Sequence, residues 1–467
     1  MSLLFYVGGV LLAALLAAVL PPLPRRWLLL LASLGFYGQL NWLFLPVLLG
    51  VIAVGYIGAL LLEKRPPRVW LCAIFVIAAL GPLLIYKYLP VWLDGLENYL
   101  PVSNLDFGGY GAVLVPAGLS FYTFQVLSYL IDVHRGAHKA DRSPLRFTLY
   151  ISFFPQLLAG PIERYQALAQ PLWEGRRPSP EMVMSGLLLI AYGVFLKEAI
   201  GDRLGSIVDP AYAAAATGGA SGALIGFLGF TLQLFADFGG YSMIAVGAGR
   251  LFGVELINNF KQPFFAETLT EFWQRWHISL TRWIGDYIYR PLGRFIVRST
   301  AWPRSMKENV TAFITWTTIG IWHGAEFTFL LFGAIQASLI VGQKALPHGW
   351  LKPQGVWRYV NMLVVFVVVV ISFGLIRANT LPQYFEMLTA LLTLRPSHTG
   401  LSSGASIWPA IIVMLAVEAA IRFKPQWRFE NTGARGVWIR TALIFLLITA
   451  AVLLGDEDGR NFIYFRF

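Results

Sequence analysis

Long apolar runs almost free of charge recur from the first residues of this chain to the last. Runs of about 20 such residues are long enough to cross hydrocarbon as helices, where every backbone N–H and C=O must be satisfied internally. The 467 residues are 57% hydrophobic and 13% charged, with a mean hydropathy of +0.63, whereas a soluble domain carries about 25% charged residues. The pattern predicts an all-α, polytopic membrane protein. Its net charge of +11 is then the basic excess of cytoplasmic loops, not a surface for nucleic acid. The single cysteine, Cys72, lies in an apolar run. It excludes an intramolecular disulfide, a thiolate metal site and paired-thiol redox chemistry.

Leu3–Leu20 reads as a retained first span, because no basic segment precedes it and Arg25 and Arg26 follow it. Trp27–Trp42 and Leu43–Leu62 read as two short spans returning to Lys64, Arg65 and Arg68, and Val69–Leu89 as the next. The loop Val91–Gly109 holds Asp94, Glu97 and Asp106 and no basic residue, which places the N-terminus outside. Val113–Val133 is apolar but carries polar residues, Gln125 among them, as suits a wall of protein or water. Phe147–Gly160, at about 14 residues between basic flanks, is too short to span and reads as re-entrant. Met182–Ala199 spans, and Leu204–Thr217 is a loop or short helix. Ser221–Leu251 carries Gln233, Asp237 and Tyr241 on one helical face, with Gly239 and Gly240 as a candidate break. Asp237 is either an acceptor for a neighbouring helix or a site carboxylate.

Phe272–Ile288 differs. At about 100° per residue, Trp273, Trp276, Leu280, Trp283, Ile284 and Tyr287 share one face, while Arg275, Arg282 and Asp286 lie opposite. An amphipathic helix of this kind suits an interface or a cavity wall, and His277 falls within its apolar arc. Arg290, Arg294, Arg298, Arg304 and Lys307 follow in the most basic loop of the chain, a membrane anchor or a meeting point for a phosphate-bearing donor. Phe313–Gln343 then runs apolar at membrane-spanning length with His323 and Glu326 near its middle. Ionisable groups at membrane depth cost about 2.5–3.5 kcal/mol by insertion scales and usually line a cavity. Gly320 and Gly324 would let a neighbouring backbone or a substrate approach the imidazole. Trp357–Leu375, Tyr384–Leu394, Ile407–Ile421 and Ala442–Leu454 complete the apolar segments.

Two histidines thus sit in apolar, aromatic settings. The other four, His134, His138, His348 and His398, fall in loops or turns and read as solvated surface groups. A buried neutral imidazole can take a proton from a hydroxyl. Serine-elbow, Walker and zincin motifs are missing, so residue chemistry alone points to an intramembrane histidine enzyme or a proton- or ion-coupled transporter using His323, Asp237 and Lys87.

Several stretches in sequence order carry a resemblance: Gly118-Leu-Ser-Phe-Tyr-Thr-Phe-Gln125 and its continuation to Val133, Phe153-Phe-Pro-Gln-Leu-Leu-Ala-Gly-Pro-Ile162, Asp237-Phe-Gly-Gly-Tyr-Ser242, Asn258 to Pro263, Phe272-Trp-Gln-Arg-Trp-His-Ile-Ser-Leu280, Asp286 to Gly293, Trp322-His-Gly-Ala325 and Phe462-Ile-Tyr-Phe465. Together they resemble the membrane-bound O-acyltransferase (MBOAT) family, in its bacterial alginate and exopolysaccharide O-acetyltransferase branch. The resemblance implies a single integral-membrane domain of about 10–12 transmembrane helices, with re-entrant and interfacial helices around a central tunnel. Residues 1–109 would be N-terminal helices, 110–345 the core and 346–467 C-terminal helices.

The same resemblance implies His323 as catalytic and His277 as its partner; the residues themselves offer Trp322, Trp276, Trp273, Asp237, Tyr241, Gln125 and Glu326 as substrate or tunnel candidates. Arg290 and Arg294 would meet the donor phosphate, and no metal or resident cofactor is expected. The donor would be acetyl-CoA or another acyl thioester, from CoA or an acyl carrier. A periplasmic acetyltransferase and a polysaccharide synthase complex would be partners, in the bacterial inner membrane. The acceptor would be an alginate- or cellulose-type polysaccharide, with peptidoglycan O-acetylation or D-alanyl transfer to teichoic acid as alternatives. The sequence departs from the family pattern at Met243, Glu326 and Gln336, the last replacing a third histidine.

Overall fold

A computed structural model describes residues 3–64, 68–91, 115–347, 350, 354–397, 407–424 and 437–455. The loop free of basic residues (92–109), His348, His398, Arg428, Arg435 and the Phe462–Phe465 motif lie outside them. The described chain is helical, with no strand among those residues. Five helical runs are long and apolar enough to cross a membrane: Pro22–Leu62, Val69–Val91, Pro180–Ala213, Gly219–Leu251 and Trp357–Arg377. Phe5–Val19, Phe327–Gln343 and Trp438–Leu454 are shorter apolar helices. The chain is a multi-pass membrane protein.

Two compact units divide it, the first formed by Met1–Ala191, Tyr241–Ile257 and Gly433–Thr441, the second by Tyr192–Gly240, Asn258–Thr432 and Ala442–Phe467. In the first unit, Pro22–Asn41 and Leu45–Leu62 are separate helices. The chain turns at Asn41, where the extended residue accepts the Leu43 N–H on its side chain at 3.0 Å. The expected re-entrant segment is a nine-residue helix, Pro144–Ser152, a break at Phe153 and one turn, Phe154–Leu157. Nine residues rise about 14 Å, half of a hydrocarbon core. Arg25 and Arg26, which follow the first span, are pinned. Arg25 is buried and donates to the Gly175 and Phe252 carbonyls at 2.8 Å each, and Arg26 lies over the Trp173 ring.

The basic segment after Val133 is likewise not simply solvated. His138, expected at the surface, stacks on Tyr129 and Tyr165 at 5.3 and 5.2 Å. Asp141 beside it is buried and accepts from Arg146 at 2.6 and 2.7 Å, from the Tyr165 hydroxyl at 2.7 Å and from the Ser143 N–H at 2.8 Å. Burial pushes its carboxyl up, but Arg146, Ser143 and Tyr165 outweigh that and hold it below the usual carboxylate range.

Within the second unit, Arg203–Ala213 packs on Gly219–Leu234, which packs on Trp357–Arg377 and Leu381–Leu392. The Leu204–Thr217 segment, left between loop and helix by its sequence, is helical as far as Ala213, and Arg377 reaches back to its Asp209 at 2.7 Å. Gly239 and Gly240 do not break their helix. Gly219–Leu251 runs through them with one wide, π-helical turn at Phe235–Gly239. A second π-helical stretch, Phe195–Asp202, packs against that turn.

Asp141→Asn removes the charge from the first unit's polar hub. A carboxyl held low stabilises the fold at pH values above its unfolded value, 3.8, and loses that contribution as pH falls through the lower folded value. The substitution should cost about 2 kcal/mol at neutral pH. In thermal unfolding in detergent, the gap to the wild type should close below about pH 4. A gap independent of pH would contradict this role.

Candidate active site

Two backbone devices set the two histidines, both within the second unit. The first is a break. Phe272–Ile288, expected as one amphipathic helix, is instead two short helices, Leu269–Arg275 and Ile278–Ile284, followed by a π-helical turn at Gly285–Tyr289. Between the two short helices Trp276 is extended and His277 is left-handed, with φ 46° and ψ 53°. Residues bearing a side chain rarely adopt that conformation, at a cost of about 1–3 kcal/mol, so neighbours must impose it. Asn259 grips both sides of the bend's exit: its carbonyl accepts the Ile278 N–H at 3.0 Å and its side-chain oxygen the Ser279 N–H at 3.1 Å. On the entry side the Lys261 N–H donates to the Arg275 carbonyl at 2.9 Å. The Thr281 hydroxyl donates to the Trp273 carbonyl at 3.1 Å.

The second device is a hairpin. Phe313–Gln343, expected as one span with His323 near its middle, belongs to two helices, Arg304–His323 and Phe327–Gln343. His323 is the last residue of the first helix, and Gly324 is extended beyond it. Glycines let the two helices meet backbone to backbone. A Cβ on Gly320 would stand 2.3 Å from the Phe329 carbonyl oxygen, and one on Gly333 would stand 2.6 Å from that of Trp316. The imidazole therefore sits at a corner, not in mid-helix. Glu326 caps the start of the second helix through its backbone and is exposed.

These devices bring His277, Trp322 and His323 together. The Trp322 ring centroid lies 6.2 Å from that of His277 and 4.7 Å from that of His323. His277 and Trp322 are buried, while His323 is half-buried. Aromatic rings wall the pair: Phe238 meets His277 edge-on at 4.7 Å, and Phe329 and Phe332 lie 6.4 and 6.2 Å from His323. Trp276 packs on Phe373 at 5.1 Å, and Trp273 donates its indole N–H to Gln336 at 3.2 Å. Burial, and then the charge of His323, push His277 well below the usual imidazole value of 6.5. Its segment lies outside every helix long enough to cross a membrane. At neutral pH it is an uncharged ring with one donor and one acceptor.

The remaining sequence candidates have other partners. Asp237 pairs with Lys197 at 2.7 Å, and its neighbour Phe238 meets the His277 ring. Gln125 and Tyr241 belong to the first unit, where the Tyr241 ring stacks on Tyr6 at 6.1 Å. Arg290 and Arg294 line a groove of about 700 Å³ with Arg298, Arg304 and Lys307, against the single carboxylate of Glu308. Arg290 pairs with Asp286, and Arg304 with Glu308 at 2.8 Å. Among the described residues, no cluster of three or more His, Cys, Asp or Glu side chains could hold a metal ion.

Sequence reasoning passed over Asn259 and Lys197. Lys197 was visible as a lysine inside an apolar run, whereas nothing in the local sequence marks Asn259 as the clamp on a distant bend. Gln336, noted only as a missing histidine, is fully buried and holds Trp273.

The profile of the membrane-bound O-acyltransferase family, MBOAT, fits residues 137–376, and the chain belongs to that family of acyl-transfer enzymes. Among its relatives is a probable alginate O-acetylase, AlgI, of Pseudomonas syringae pv. tomato, 34% identical over 79% of this chain and 70% of that one. The protein described in the same words from Pseudomonas putida is 31% identical over 95% of this chain and 94% of its own length. A peptidoglycan O-acetyltransferase of Helicobacter pylori is 28% identical over 80% and 75%.

Gly320→Ala places a methyl group against a carbonyl that has no room to move and should cost about 1–3 kcal/mol. Gly342→Ala, in the same hairpin with nothing within 4 Å of the added Cβ, should leave the unfolding temperature in detergent unchanged. Equal behaviour of the two variants would exclude the close approach.

Proposed function

We propose that this enzyme moves an acetyl group from a cytoplasmic thioester, acetyl-CoA or an acyl carrier, toward a secreted polysaccharide of the alginate or cellulose type. Delivery is either direct or through a periplasmic acetyltransferase, in the bacterial inner membrane beside the polymer's synthase. The observation that carries this reading is the pair of imidazoles flanking Trp322, one buried and neutral, the other half-exposed at a hairpin corner. His323 takes the proton of the attacking hydroxyl as its oxygen adds to the thioester carbonyl. His277, uncharged, offers its N–H to the oxyanion that develops or orients His323. Collapse of the tetrahedral intermediate expels the thiolate, which takes the proton back from His323, leaving an ester and a thiol. The cationic groove at Arg290–Lys307 receives the donor's phosphates, where bidentate guanidinium contacts suit phosphate oxygens.

The relatives' printed acceptors, alginate for the Pseudomonas proteins and peptidoglycan for the Helicobacter pylori one, support an exported glycan and make the cell-wall polymer the second reading. Base-released acetate from purified exopolysaccharide and from sacculi, compared between wild type and a deletion strain, separates the two.

His323→Ala at normal protein level should lower transfer by about 10²–10⁴-fold, the usual worth of a general base. Unchanged acetylation of the exported polymer would remove the reading. Arg294→Ala with Arg298→Ala should raise the donor KM about tenfold, for a loss of about 1.4 kcal/mol, with kcat nearly unchanged. A fall in kcat at constant KM would take the donor away from this groove.

A further inference from the structure

One cluster of charges in the second unit is left unused by this chemistry. Lys197 lies in the π-helical stretch Phe195–Asp202, and its ammonium meets the carboxylates of Asp202 and, at 2.7 Å, Asp237. All three side chains are buried, the residues being 5%, 2% and 3% exposed. Buried ion pairs are a weak source of stability, since desolvation offsets much of their attraction, and π-helical turns recur at functional sites. The two wide turns approach closely enough that a Cβ on Gly201 would stand 3.1 Å from the Asp237 backbone nitrogen. Asp237 belongs to the turn Phe235–Gly239, and the rings of that turn reach the bend that carries His277. Phe235 packs on Phe264 at 5.0 Å and on Trp276 at 6.3 Å. Phe238 packs on Phe260 at 5.1 Å and on the His277 ring at 4.7 Å.

We infer that Lys197, Asp202 and Asp237 are positioning residues for His277: the doubly clamped ammonium fixes the turn Phe235–Gly239, whose two phenylalanine rings hold the left-handed histidine and keep water from it. The inference rests on the reading of His277 and His323 as the acyl-transfer site. A hydrophobic turn could pack there too, but it could slide. An ammonium held by two carboxylates on different turns has one register.

The experiment follows the His277 ring in the full-length protein in nanodiscs, by 15N-histidine NMR across pH, with the resonance assigned through His277→Asn. The charge of His323 acts on His277, and the rings of Phe238 and Trp322 pack against it. Asp237→Asn keeps the side-chain shape and removes the clamp. Its His277 titration should move up toward 6.5 by about one pH unit as the ring becomes wetter. The acid limb of kcat should move the same way, with donor KM changed less than about twofold. The double variant Lys197→Met with Asp237→Asn has the wild-type net charge and should remain shifted. A kcat that falls with both titrations unmoved would make the cluster mere scaffold and overturn the inference, as would recovery in the double variant. Should Asp237→Asn fail to accumulate, Phe238→Leu reads the same contact with the charges intact: the same upward shift is expected, and none would overturn the inference. His323→Ala run alongside separates the two levels, because full activity there defeats the site reading while the NMR titrations still decide the clamp.

Discussion

Asn259 holds a histidine in a backbone conformation that a residue with a Cβ avoids. Two N–H groups beyond the bend, those of Ile278 and Ser279, end on its carbonyl and its side-chain oxygen. Without those bonds Trp276 and His277 could relax into one continuous amphipathic helix, the form that the pattern of their stretch favours. His277 would then lie along a helix face. Instead it is turned into a wall of aromatic rings beside Trp322, which brings two imidazoles 46 residues apart in sequence into one electrostatic neighbourhood.

The opposite wall depends on the absence of side chains. The helices that end and begin around His323 approach through Gly320 and Gly333, close enough for a carbonyl oxygen to occupy the space of a Cβ. Such contact leaves the hairpin's corner little room to move. Low polarity around His277 then favours its uncharged form, which keeps one ring N–H to donate and one ring nitrogen to accept.

Much of this was legible in the residues. Apolar runs separated by basic loops gave the fold class, and the shortness of Phe147–Gly160 agrees with the nine-residue helix and single turn found there. His277 and His323 stood out as the histidines in aromatic surroundings, and these two rings are neighbours. The breaks were less legible. Helical periodicity in Phe272–Ile288 is real on either side of the bend, so the pattern predicts continuity, and only a distant asparagine overrides it. His323 lies within an apolar stretch whose hydropathy does not register a hairpin. Asp237 drew attention as an acid in a membrane segment, yet its partner Lys197 lies 40 residues earlier, beyond any local pattern. His138, a loop residue as expected, looked solvated because ring stacking with Tyr129 and Tyr165 leaves no trace in local composition.

The central claim is that His277 and His323 act as one unit, and a double-mutant cycle on acetyl transfer by purified enzyme tests it most directly. Groups that work together lose their effect together. The account predicts that His277→Asn combined with His323→Ala is no slower than the slower single variant. Losses that multiply through the double variant would mean that the two rings serve separate steps, and would contradict a shared site.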